Sequence, residues 1–204
     1  MTVTVSNPSA MPRGTSATTE PGTATPGWNV IVTLPEATAP RARRILRRWG
    51  WAQRTPYFHV LVMAVGDPDQ FVREFGEAVI ETPGISNFIA HVFAAQRTFD
   101  FATVEEFERT ARDLALAWAP LLAGKKFHVR LHRRGLKGVL STPTEERFLD
   151  DALLGALRNA GTPGHIAFDD ADFVIHVETI DHRAGMALWT RDDLQRYPFL
   201  SRSQ

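Results

Sequence analysis

The chain has 204 residues, with 23 Lys plus Arg against 23 Asp plus Glu, so its formal net charge is zero, and it contains no cysteine. That balance argues against a uniformly basic polyanion binder, and the missing thiols exclude disulfides, thiolate catalysis and any Cys-based zinc or iron–sulfur centre. Apolar residues make up 44% of the chain, enough to build the core of one or two small domains.

Residues 1–27 are rich in Thr, Ser, Pro and Gly and lack an apolar run. They read as a disordered tail rather than a signal peptide, because such a segment buries too little apolar surface to offset its ordering entropy. No apolar stretch reaches membrane-spanning length, so the sequence predicts a soluble, cytoplasmic protein with no membrane contact. Order begins at Trp28, where Trp28, Val30, Val32 and Leu34 alternate as in a strand. Residues 38–49 follow as a helix with Ala42, Ile45, Leu46 and Trp49 on its inner stripe, closed by Gly50. A short strand within 51–56 and a longer one over 57–65 come next. Asp67, Pro68 and Gln70 then supply cap, first-turn proline and capping-box partner for a helix with Phe71, Phe75 and Val79 inside. A strand over 87–95 completes a small α+β unit of the ferredoxin-like type.

The second half opens with a coil junction near 96–102 and a helix capped by Thr103 and Glu106, with Phe107, Ala111, Leu114, Ala115 and Trp118 on its stripe. A strand over 126–131 runs into the turn HRRGLKG. Thr142, Pro143 and Glu145 start another helix, with Phe148, Ala152, Leu153 and Ala156 facing inward. Residues 173–180 and 184–190 form a hairpin. The predicted organisation is therefore a tail at 1–27, a ferredoxin-like unit at 28–98, a second α+β domain at 99–192 and a C-terminal tail or short helix at 193–204.

Charge is concentrated in two places. Between Ala123 and Gly138 stand Lys125, Lys126, Arg130, Arg133, Arg134 and Lys137, with His128 and His132 and no acid. Alternation puts Phe127, Val129 and Leu131 on the core face and His128, Arg130 and His132 outward. Arg41, Arg43, Arg44, Arg47 and Arg48 cover the solvent side of the first helix, again without an acid among them. Such patches match a phosphate backbone, which arginine forks grip and lysines neutralise. Trp49 reads as core, while Trp51 is open to either core packing or base stacking. Lys125, Lys126, Arg130, His132, Arg133, Arg134, Lys137, Arg41, Arg44 and Arg48 are thus the candidate nucleic-acid-binding residues, which the resemblance described below makes candidates for binding RNA. Signals for chemistry are weaker. Asp169, Asp170, Asp172, His165 and His176 lack standard metal-ligand spacing and are explained by turns and capping. HRRGLKG lacks both the Walker spacing and the Ser or Thr after its lysine. No cofactor and no metal are expected. His176 and Glu178 share a strand face, and are the pair on which an enzymatic alternative would rest.

The stretch FHVRLHRRGLKG, followed by a capped helix and by IAFDDADFVIHVETIDHRAGMAL, resembles the THUMP domain of tRNA-modifying proteins. The residues that carry the resemblance are Phe127, Val129, Arg130, Arg133, Arg134, Glu145, Ile166, Phe168, Asp170, Ala171, Asp172, Val177 and Glu178, over roughly 100–190. The unit at 28–95 is similar to the ferredoxin-like domain that accompanies THUMP in such proteins. The resemblance implies binding of tRNA around its acceptor stem. Because fewer than a domain's worth of residues follow Thr190, it also implies a stand-alone, non-catalytic chain similar to the adaptor of a separate N4-cytidine acetyltransferase. Two alternatives stay open: a protein-binding assembly module, and a small RNA-modifying enzyme.

Overall fold

The computed structural model describes residues 27–201, so the tail expected at 1–27 lies, apart from Gly27, outside the described residues. The first unit runs β1 (Val30–Thr33), α1 (Ala39–Leu46), β2 (Gln53–Arg54), β3 (Val60–Met63), α2 (Pro68–Glu81) and β4 (His91–Ala94). Its strands form one antiparallel sheet in the order β2-β3-β1-β4. This is the βαββαβ arrangement of a ferredoxin-like unit. Local chemistry explains the boundaries. The Asp67 carboxylate accepts from the Gln70 backbone N–H at 2.9 Å, and Pro68 occupies the first turn, where its missing N–H costs nothing. The Gln70 side chain does not close a capping box; it donates to Glu74 instead. α1 stops at Leu46, earlier than the apolar stripe suggests, and residues 47–49 form a turn. Trp49 still packs inward, edge-on to Phe71 at 5.5 Å between ring centroids, and its indole N–H donates to Glu74.

The second unit begins with an element that the sequence reading assigned to coil. β5 (Arg97–Asp100) pairs antiparallel with β9 (Arg183–Thr190) at the edge of the larger sheet. Next come α3 (Val104–Leu116), β6 (Lys126–Arg134), α4 (Thr142–Asn159), the two-residue β7 (His165–Ile166), which the sequence reading also lacked, and β8 (Phe173–Ile180). The sheet order is β5-β9-β8-β6-β7, with β6 parallel to both β7 and β8 and the other pairs antiparallel. α3 and α4 cover one face, where Phe107, Phe127, Leu149, Leu153 and Ile175 are fully buried. Leu153 is buried as expected, but the inner stripe of α4 runs through Leu149, Leu153 and Leu157, and the predicted Phe148, Ala152 and Ala156 are half-buried.

The opposite face of this sheet is not exposed, because it packs on the first unit. Ile180, Ala187 and Trp189 belong to the same apolar cluster as Trp28, Ile31 and Phe93. Close approach needs a residue without a side chain: a Cβ on Gly185 would stand 2.7 Å from the Ala95 Cβ and 2.9 Å from the Phe93 ring. The chain then forms α5 (Arg191–Arg196), which opens with a Thr190–Asp193 capping box, and a 3-10 turn over Pro198–Leu200. Tyr197 and Leu200 are buried in the first unit's core, with Phe199 edge-on to Phe75 at 4.9 Å. This segment returns to clasp the N-terminal half. Among the described residues no helix is long and apolar enough to cross a membrane.

Candidate nucleic-acid interface and the recess beside it

β6 carries the predicted basic cluster, and it is longer than expected. The ladder to β8 continues through His132, Arg133 and Arg134, so these are strand residues rather than a turn. Chain reversal starts at Gly135, whose φ of +84° lies in the left-handed region that glycine tolerates. The outer edge of β6 is protected for two residues by β7. Beyond it, helix α4 supplies carboxylates: Asp150 accepts the Val129 N–H at 2.9 Å and Glu146 accepts the Leu131 N–H at 2.7 Å. An exposed strand edge is thereby closed to other chains.

Alternation along β6 holds, but the face away from α3 and α4 is only partly open to solvent: Arg130 is exposed, whereas His128 and Arg134 are not. His128 is buried, and its Nδ1 lies 2.8 Å from the Ala167 carbonyl. Burial pushes its pKa below that of a free imidazole. Arg134 is 7% exposed; its guanidinium is paired with Glu178 and reaches the Thr33 hydroxyl of β1 at 3.2 Å. The expectation of an outward His128 is thus corrected, because the loop at Ala167 and Phe168 packs against its ring, and Arg134 does not join the open surface, because it meets β1 of the first unit. Arg133 is half-buried and donates to the Gly135 carbonyl. Lys126 is exposed and paired with Asp170. Lys125, Arg130 and Lys137 are exposed, and His132 is half-buried.

The first unit offers a more open basic surface. Arg41, Arg44, Arg47 and Arg48 are exposed and Arg43 is half-buried. No acidic residue occurs between 37 and 66. Arg43 is fixed by donation from its Nε to the Ala52 carbonyl at 3.0 Å. Arg48 lies over Trp49 and Arg41 over Phe88, at 4.5 and 5.3 Å from the ring centroids. Trp51, left open by the sequence, is not core: it is 57% exposed.

Between the units lies a recess of about 460 Å³. Its polar lining includes His91 from β4, His128, Arg130 and His132 from β6, and His176 and Glu178 from β8, with Leu194 from α5 and Ser201 beside them. Desolvation dominates at His176, pushing its pKa down to about 4 against the attraction of Glu178, so the ring is neutral near pH 7. The Glu178 carboxylate is held between Arg134 and His91, whose Nδ1 is 3.9 Å away. The sequence placed His176 and Glu178 on one face; it gave no sign that His91, 85 positions before His176, would join them. Among the described residues no cluster of His, Asp or Glu is arranged to hold a metal ion.

No protein-family model and no curated protein sequence matches the chain. Solved structures do. PH1313 from Pyrococcus horikoshii Ot3 superposes with a TM-score of 0.53 at 14% identity, over 78% of this chain and 53% of that one. TrmN from Thermus thermophilus gives 0.52 at 16% identity, over 78% of this chain and 44% of that one. A 4-thiouridine synthetase in complex with RNA and bound ATP lies further off, with a TM-score of 0.47 at 13% identity over 79% and 41%. At these identities the likeness is one of fold, and the chain spans about half the length of the structures it matches. The expectation of a stand-alone, non-catalytic chain that hands tRNA to a separate enzyme is overturned: the same two-unit fold forms part of the longer PH1313 and TrmN chains.

Proposed function

We propose that the chain is an RNA-modifying enzyme in which the ferredoxin-like unit and a THUMP-type second unit together hold a tRNA. The observation that carries this reading is the recess: neutral imidazole and a fixed carboxylate stand beside Arg130, an exposed cation at its rim. The RNA backbone is gripped by Arg41, Arg44 and Arg47 on the first unit and by Lys125, Arg130 and Lys137 on the second, which remain open after Arg134 and His128 are buried. A phosphate at Arg130 brings the adjoining nucleotide to the recess. There the neutral His176 can hydrogen-bond the nucleotide without the cost of burying an imidazolium, and Arg134 pairs with Glu178 and orients it.

The test has two readouts. Unmodified whole tRNA should bind the purified chain with strong salt dependence, and Arg41→Ala/Arg44→Ala should weaken binding severalfold and flatten the salt slope. Incubation with the same tRNA, offering ATP and a methyl donor separately, should yield a new nucleoside by mass spectrometry. His176→Ala should abolish it while leaving tRNA affinity within about twofold. Absence of binding at low salt by folded protein rejects the RNA reading; binding without any new nucleoside rejects the enzymatic one.

A further inference from the structure

One surface feature lies outside both the recess and the simple gripping of phosphates. Trp51 stands in the loop between α1 and β2, next to the buried Ala52, with 57% of its surface in solvent. A large apolar ring this exposed ordinarily serves a contact. Its neighbours are cations. The guanidinium carbons of Arg43 and Arg47, one helical turn apart in sequence, lie 5.1 and 5.6 Å from the indole centroid. Pro40, Arg43, Arg44, Arg47, Trp51 and Ala52 line a shallow recess of about 270 Å³. The hydrogen bond from Arg43 to the Ala52 carbonyl ties the helix to the loop, so that the ring is held rather than trailing. Among the described residues neither Arg44 nor Arg47 has an ion pair.

We infer that Trp51 is a stacking platform for an unpaired RNA base, with Arg44 and Arg47 taking the flanking phosphates. The inference rests on the RNA-binding part of the proposed function and adds the form of RNA read at this position: a single-stranded nucleotide, since a base inside a helix has no free face to offer an indole. Charge complementarity favours this occupant over a protein segment. The surrounding loop and helix carry arginines and no acid across 37–66, and a base presents a ring face together with the anions that those arginines need. Ala52, buried at 3% exposure, anchors the backbone beneath the ring.

The experiment uses the full chain and two labelled probes, decauridylate and a blunt ten-base-pair RNA duplex, in fluorescence-anisotropy titrations. Trp51→Ala should weaken decauridylate binding about tenfold, the scale of one lost base–aromatic stack. Trp51→Phe should recover most of that loss, and duplex affinity should change less than twofold in both variants. The salt slope of Trp51→Ala should match the wild type, because no charge is removed, whereas Arg44→Ala/Arg47→Ala should flatten it. Because Trp51 is exposed, its replacement should leave the melting temperature unchanged, which checks that the comparison is between folded proteins. Equal decauridylate affinity of wild type and Trp51→Ala overturns the platform, as does an equal loss on single strand and duplex. If the wild type binds tRNA but not decauridylate, the platform alone fails; if it binds neither, the RNA reading fails with it.

Discussion

Asp150 shows how one carboxylate both closes a strand edge and carries a cost. It sits on α4, accepts the Val129 N–H at 2.9 Å and is 8% exposed. Burial raises its pKa to about 7, with Glu146 and Asp151 adding to the rise and the Val129 hydrogen bond opposing it. Glu145, five residues earlier on the same helix and 2% exposed, is likewise raised to about 7 by burial and then by Glu108. An acid whose folded pKa lies above its unfolded value of about 4 keeps its proton longer in the native state. Stability contributed by these two groups is therefore full below about pH 4 and is lost as pH rises toward 7. Asp150→Asn keeps an oxygen acceptor for Val129 and removes the charge. Its melting temperature should equal or exceed the wild type's at pH 8, with the advantage gone at pH 5. Asp150→Ala removes the acceptor and should cost about 1–3 kcal/mol at both pH values, the penalty of an unpaired buried N–H. A melting temperature for Asp150→Asn well below the wild type's at pH 8 would show that the native carboxylate is ionised and stabilising.

At the level of elements, β6 separates what the sequence discloses from what it hides. The alternation of Phe127, Val129 and Leu131 was readable, and so were the β8–β9 hairpin and the arginine-covered side of α1, because each rests on local periodicity. The destination of β6's other face was not readable: a sequence with His128, Arg130, His132 and Arg134 at alternate positions looks solvated until the loop at Ala167 and Phe168 and β1 of the first unit cover part of it. The phase of α4 was hidden for a related reason, since Glu145 and Asp150 lie near its buried stripe and make it look polar. β5 and β7 are short edge strands whose partners lie far away in sequence, so periodicity had little to act on. The burial of Arg134 makes a prediction that separates architecture from RNA contact. Arg134→Ala leaves the Glu178 carboxylate buried without its main counter-ion and should cost about 3–5 kcal/mol in urea denaturation. Adding Glu178→Gln should recover a large part of that loss. In protein that remains folded, tRNA affinity should fall far less for Arg134→Ala than for Arg41→Ala/Arg44→Ala. A larger fall for Arg134→Ala would mean that the side chain leaves its buried pair to meet RNA.

Across the whole molecule, the two sheets are not two independent domains on a tether. Ile180, Ala187 and Trp189 of the second sheet share one apolar cluster with Trp28 and Phe93 of the first, and Tyr197 and Leu200 close onto the same core. Polar ties cross the same boundary: Arg134 reaches Thr33, Tyr57 donates to Asp181, and the Arg183 Nε donates to the Trp28 carbonyl at 3.1 Å. Removing either unit would expose this cluster and strand those groups, so neither is expected to unfold while the other stays native. Tryptophan fluorescence and far-UV circular dichroism should therefore follow a single transition in urea. Gly185 tests the coupling at its tightest point, because a side chain there meets Ala95, Phe93 and the Trp28 ring. Gly185→Val should lower stability by about 1–3 kcal/mol through overpacking and shift both probes together. If the fluorescence transition moved while the dichroism transition stayed in place, the two units would be unfolding separately. The recess they enclose would then open and close with their docking, and would not be a fixed part of the fold.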